Sequence, residues 1–162
     1  MNRLIQGVAT GYRTVAGYLN LLQPVFLLVI RLYIGWLLFK SGRGKLTNID
    51  ATADFFTSLH IPMPVGNAYV SGIIESIGGL SLMLGLAARL AAIPLIGNML
   101  VAYATAHPDD LRAIVANTNL FLKSPPFLYL LTAIIILVFG PGPISLDGVL
   151  SRFFKPPAPD AK

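Results

Sequence analysis

Residues 24–42 read PVFLLVIRLYIGWLLFKSG and residues 67–88 read NAYVSGIIESIGGLSLMLGLAA. As helices, stretches of this length cross the hydrocarbon core of a bilayer, which takes about 20 predominantly apolar residues. Each holds one charge deep inside the apolar run, Arg31 in the first and Glu75 in the second. Two shorter apolar runs follow, 91–106 and 126–139. Proline and glycine punctuate them as helix ends do. Pro24 suits a first helical turn, and Pro62-Met63-Pro64 breaks the chain before the second run. Pro94 falls in the first turn of the third, and Gly140-Pro141-Gly142-Pro143 ends the fourth. The four runs predict an all-α fold: a four-helix transmembrane bundle with interfacial amphipathic helices.

The composition agrees. Hydrophobic residues make up 55% of the 162, and charged residues 12%, about half the share of a soluble domain. Mean hydropathy is +0.72. Cysteine is absent, which excludes disulfides, thiolate metal sites, iron–sulfur clusters and a cysteine nucleophile. The net charge of +5 is scattered at the ends of apolar runs, not gathered in a block. It reads as interface anchoring and orientation, not nucleic-acid binding.

Outside the spans, the first 22 residues lack the unbroken apolar stretch of a signal peptide. They carry a stripe, Leu4, Val8, Tyr12, Val15, Leu19 and Leu22, opposite Gln6, Thr10, Arg13, Gly17 and Asn20, as in a helix lying in the interface plane. The expected organisation is an interfacial helix over 1–22, the membrane domain over 23–152 and a disordered Pro-rich tail over 153–162. An even number of spans puts both termini on one side, which holds Arg3, Arg13, Arg89, Arg152, Lys155 and Lys162. The positive-inside rule makes that side cytoplasmic. The two long connections then face outward. Asp50 to His60 suits a short interfacial helix, and His107-Pro108-Asp109-Asp110 is a helix start with acidic residues in the first turn. Ser145 can cap a last short helix with Leu146, Val149, Leu150, Phe153 and Phe154 on its apolar face.

A charge at mid-membrane costs at least about 2.5–3.5 kcal/mol, so such residues face the bundle interior and mark functional sites. Arg31 shares a helix face with Gly35, Leu38, Gly42 and Lys45; Glu75 shares one with Gly72, Ser76 and Gly79. Small residues mark close helix approach in lipid. With Lys40 and Asn67 taken as one interface, Arg31 lies about 13 Å and Glu75 about 12 Å below it. An Arg31–Glu75 ion pair is therefore expected, with Asn98, Ala102 and Thr105 completing a polar core. The other reading is a buried contact that only fixes helix register. His60 and His107 sit in a loop and at a helix end, which disfavours haem. The sequence holds no Ser-His-Asp grouping, phosphate loop or metal-spaced cluster, and no metal is predicted.

The motifs Arg31-Leu32-x-x-Gly35, Ser41-Gly42-x-Gly44-Lys45-Leu46, Glu75-Ser76-Ile77-Gly78-Gly79 and Leu84-Gly85-Leu86-x-x-Arg89-Leu90-Ala91-Ala92 stand in order along the chain. Met99-Leu100-Val101-Ala102 and Gly140-Pro141-Gly142-x-x-Ser145-Leu146-Asp147 follow. Together they resemble the DoxX family of small bacterial membrane proteins, from about Val25 to Leu150. The N-terminal stretch and the insert around Asn117 to Pro126 lie outside the match. The resemblance implies a four-helix membrane bundle in the bacterial inner membrane. It also implies kinship with the DoxD-type subunit of thiosulfate:quinone oxidoreductase. The family's Arg, Lys and Glu positions fall on Arg31, Lys45 and Glu75. Many members carry His where this chain has Ser41.

A quinone site makes physical sense of these residues. Arg31, Lys45 and Asn98 would donate to ring carbonyls, and Glu75 would relay a proton. The electron must come from a partner or a bound cofactor. The expected function is a quinone-interacting subunit of an electron-transfer system, with other membrane subunits or further copies of itself as partners. The alternative is a non-catalytic accessory subunit packed against a larger membrane complex. A transporter fits least, for want of a detectable repeat.

Overall fold

The computed structural model describes residues 2–112, 114, 115 and 117–153; the tail expected to be disordered lies almost wholly outside them. These residues form eight helices and no strand. The helices are α1 (Asn2–Thr47), α2 (Ile49–Ser58), α3 (Pro64–Leu84), α4 (Ala88–Ala106), α5 (Pro108–Arg112), α6 (Thr118–Lys123), α7 (Pro125–Phe139) and α8 (Leu146–Phe153). The four apolar runs of the sequence are α1 in its second half, α3, α4 and α7. The short helices after Asp50, His107 and Ser145 also form. Helix α6, inside the insert, had no periodic signal to announce it.

Two boundaries differ from expectation for one reason. α1 runs unbroken through Pro24, so 1–22 is not a separate element, and α1 is about 69 Å long. Pro94 lies well inside α4, which begins at Ala88, not in its first turn. A proline removes one helical hydrogen bond, and helices in an apolar setting tolerate that loss.

Gly11–Thr47 and Ala88–Ala106 are long and apolar enough to cross a membrane. α7 is more apolar but has 15 residues. α3 has 21 residues, but its glycines, serines and Glu75 dilute its hydropathy. They do so because one side of α3 serves for close packing.

That packing is between backbones. A Cβ on Gly35 would lie 2.7 Å from the Gly79 carbonyl oxygen, and one on Gly79 would lie 2.6 Å from that of Gly35. One turn pair higher, a Cβ on Gly42 would lie 2.6 Å from the Gly72 carbonyl oxygen. The helices are antiparallel, and glycine meets glycine twice along the seam. Gly78 receives Leu95 of α4, whose side-chain carbons would be 2.8 Å from a Cβ there. α4 packs on α7 in turn, and the core comprises Ile34, Leu38, Leu82, Ala88, Ala92, Leu95, Met99, Ala133 and Ile136. The outward faces stay apolar: Leu90 is 71% exposed, Ile77 62% and Phe139 65%. An apolar exterior of this extent is a surface for lipid.

The turn between α3 and α4 needs Gly85. Its φ is +64°, its N–H bonds the Leu82 carbonyl at 3.2 Å, and the Leu86 N–H reaches the Ser81 carbonyl at 3.1 Å. This is a Schellman ending.

The seam makes a prediction. Gly42→Ala drives a methyl into the α3 backbone and is expected to destabilise the protein by about 1–3 kcal/mol. Gly44→Ala, where a Cβ meets nothing within 4 Å, is expected to be neutral or to stabilise by up to about 1 kcal/mol. Unfolding in mild detergent, followed by circular dichroism, separates the two; equal effects would show that the seam does not limit the packing.

Candidate functional site

Glu75 sits midway along α3, between the two glycine contacts, and is 3% exposed. Its carboxylate is held from two other helices, α1 and α4. Lys45 Nζ of α1 donates to Oε1 as a close ion pair. Asn98 Nδ2 of α4 donates to the same oxygen at 3.0 Å. Ser41 Oγ of α1 donates to Oε2 at 2.8 Å. Lys45 Nζ also reaches Ser71 Oγ at 3.2 Å. Ser41 and Ser71 went unremarked as partners in the sequence, yet each stands four residues before Lys45 or Glu75, which puts it on the same helix face. That spacing was the available signal.

The Arg31–Glu75 ion pair expected from the sequence does not form, and register is the reason. The expected alignment set Lys40 level with Asn67. The glycine contacts set Gly42 level with Gly72, which puts Asn67 level with Thr47, seven residues further along α1. Seven residues are two turns. Such a slip leaves every facing intact and moves every level by about 10 Å. Side-chain direction does the rest. Helical Cα–Cβ bonds tilt toward the N-terminus. In an antiparallel pair, Lys45 and Glu75 therefore lean toward each other, and Arg31 leans away.

Arg31 does other work. It is 1% exposed and donates from its two terminal nitrogens to the Pro141 carbonyl and, at 2.9 Å, to the Ile144 carbonyl. Its Nε has no partner. The same turn is fixed by Asp147, whose carboxylate accepts the backbone N–H groups of Ala87 at 2.9 Å and Ala88 at 3.2 Å. The Asp147 N–H in turn bonds the Gly85 carbonyl at 2.9 Å. Asp147 thus caps α4, and Ser145 Oγ accepts from the Gly148 N–H at 3.0 Å in the first turn of α8. Arg31 ties the α7–α8 turn to α1, and Asp147 ties it to the α3–α4 turn. Gly85 also leaves room for the guanidinium: a Cβ there would lie 2.8 Å from an Arg31 terminal nitrogen.

At the opposite end, a cavity of about 870 Å³ opens beside the Glu75 network. Lys45, Ser71, Glu75 and Asn98 form its polar wall. Phe55, Phe56 and Leu59 of α2, Val70 and Ile74 of α3 and Val101 of α4 supply apolar lining. Arg31 is not among its lining residues. His60 and His107 stand at its outer end. There His107 Nδ1 lies 3.1 Å from an Asp110 oxygen that also takes the Ser124 hydroxyl. Tyr103 stacks on Phe121 with centroids 4.8 Å apart and donates to the Phe121 carbonyl at 3.0 Å, which fixes α6 to α4. Asn98, Ala102 and Thr105, expected on one face, all line the cavity; the Thr105 hydroxyl also donates to the Val101 carbonyl of its own helix at 2.8 Å.

The hydropathic exterior, the glycine seam and the buried polar network define an α-helical integral membrane protein. The DoxX family profile matches residues 26–108, and the chain belongs to that family. It is similar to "Inner membrane protein YphA" of Escherichia coli (strain K12), 29% identical over 130 residues, which are 77% of this chain and 90% of that one. It is also similar to "Putative oxidoreductase CatD" of Bacillus subtilis (strain 168), 30% identical over 120 residues, 74% of this chain and 83% of that one. No solved structure matches the chain.

The two clusters give opposite expectations in mutant cycles. Lys45→Met leaves a buried carboxylate without its cation and is expected to cost about 3 kcal/mol; adding Glu75→Leu is expected to restore part of the loss. Arg31→Met and Glu75→Leu share no partner and should add to within about 0.5 kcal/mol. Coupling between Arg31 and Glu75 as strong as that between Lys45 and Glu75 would contradict this geometry.

Proposed function

We propose that the chain is a quinone-interacting membrane subunit of an electron-transfer system. In this reading α1, α3, α4 and α7 cross the bacterial inner membrane as a four-helix bundle with both termini in the cytoplasm. The observation that carries the reading is a buried, hydrogen-bonded carboxylate in the wall of a large, mostly apolar cavity.

The donor set fits a neutral ring with carbonyl oxygens. Lys45 has three N–H donors, of which Glu75 and Ser71 occupy two. The Asn98 amide has two, of which Glu75 occupies one. One donor on each remains for a ligand. Glu75 offsets the charge of Lys45, so the wall as a whole selects a neutral head group. A bound quinone supplies electron-accepting chemistry. The protein's own part is to orient the ring through Lys45 and Asn98, exclude water with the apolar lining, and hold or move a proton at Glu75. Arg31 acts from a distance as a positioning residue, by fixing the turns at the far end of the seam. The electron donor is a partner subunit or its bound cofactor.

A second reading has one observation in its favour. The N-terminal half of α1 packs on little: Tyr12 is 74%, Tyr18 68% and Leu21 70% exposed. An accessory subunit that docks on a larger membrane complex would use such a helix.

Purification in mild detergent followed by lipid extraction tests the first reading. Wild-type protein is expected to carry quinone, reduced about tenfold in Glu75→Gln, since a neutral amide cannot hold the proton or the Lys45 pair. Quinone content unchanged in both Glu75→Gln and Lys45→Met would sink it. Native gels address the second: migration only as monomer or homodimer would remove its support.

A further inference from the structure

Gly97 lies midway along α4, and helix packing gives no reason for it. A Cβ built on Gly35, Gly42, Gly72, Gly78 or Gly79 would run into a neighbouring helix, whereas one built on Gly97 meets nothing within 4 Å. Glycine inside a helix weakens it relative to alanine; Gly11, Gly17 and Gly44 also stand in open space, and what sets Gly97 apart from them is its place beside the cavity. Gly97 lines the cavity, next to Asn98 and the Glu75 network.

The cavity is not closed at that side. Val70 of α3 and Val101 of α4 line it and are also 52% and 53% exposed. Pro94 and Gly97, which line it too, are exposed as well. The groove between α3 and α4 thus joins the cavity to the outer surface of the bundle. α4 is long and apolar enough to cross a membrane, and Val70 and Val101 at the opening are apolar, so in the membrane-spanning arrangement proposed above the opening would meet hydrocarbon.

We propose that the α3–α4 groove is a lateral portal from the bilayer, kept open by Gly97. It admits an amphiphile with a neutral polar ring and an apolar tail. The ring lies against Lys45 and Asn98, and the tail leaves across Gly97 between Val70 and Val101. The identity of the ring rests on the quinone reading above; the route and the need for a tail follow from the groove.

The test titrates full-length protein in lipid nanodiscs with a decyl-tailed benzoquinone, with affinity and melting temperature as readouts. Gly97→Leu fills the groove from α4, Val70→Phe fills it from α3, and neither touches the polar wall. Each is expected to weaken binding about tenfold or more, with Gly97→Leu melting at or above wild type. Gly11→Leu, also in open space but on the N-terminal half of α1, is expected to leave affinity within about twofold. Should Gly97→Leu fold poorly, Val70→Phe decides alone. Wild-type binding that both groove variants retain would overturn the portal and leave the ring site standing. No binding by wild type would overturn the quinone reading and the ligand assigned here with it.

Discussion

The antiparallel contact of α1 and α3 sets the level of every functional group in this protein. Where Gly35 meets Gly79 and Gly42 meets Gly72, carbonyl oxygens occupy the space side chains would fill. Lipid gives helices no hydrophobic reason to associate, so close approach and dispersion must hold them together. Two such contacts, seven residues apart on each helix, fix rotation and translation at once. A single contact would leave the helices free to swivel. With two, Glu75 is held beneath Lys45, and Arg31 is carried to the far end.

Facing was legible in the sequence and height was not. The helical spacing of Arg31, Gly35, Gly42 and Lys45, and of Gly72, Glu75 and Gly79, places each charge on the seam, and the structure agrees. Height depends on where each helix is cut off by the interface. Lys40, which is exposed and long enough to snorkel, is a poor ruler for that. A seven-residue slip preserves facing, so no helical-wheel argument could have detected it. The decisive clue was the matched glycine spacing itself, which aligns the two helices without reference to any membrane boundary.

Capping chemistry shows the same division. Ser145 and the acidic start after His107 announced short helices, because a cap is a local event. What Asp147 does was hidden, because its carboxylate serves a helix start 59 and 60 residues away in sequence. The continuity of α1 through Pro24 was hidden for a related reason. Proline statistics come largely from helices in water, and a helix in an apolar setting gives up its other hydrogen bonds far less readily.

The polar groups form two systems with different chemistry. Arg31 spends its charge on neutral carbonyls and is sealed at 1% exposure; removing it leaves acceptors that a turn can satisfy only by coming apart. Glu75 is paired with a cation whose side chain remains 27% exposed, beside a cavity. Ser41 and Asn98 bond the same carboxylate, so it is anchored from α1 and α4 as well as by its cation. A buried guanidinium cannot lose its proton, so its place in the structure is rigidity. The seam between them joins an end fixed by a sealed guanidinium to an end where a buried ion pair borders a cavity.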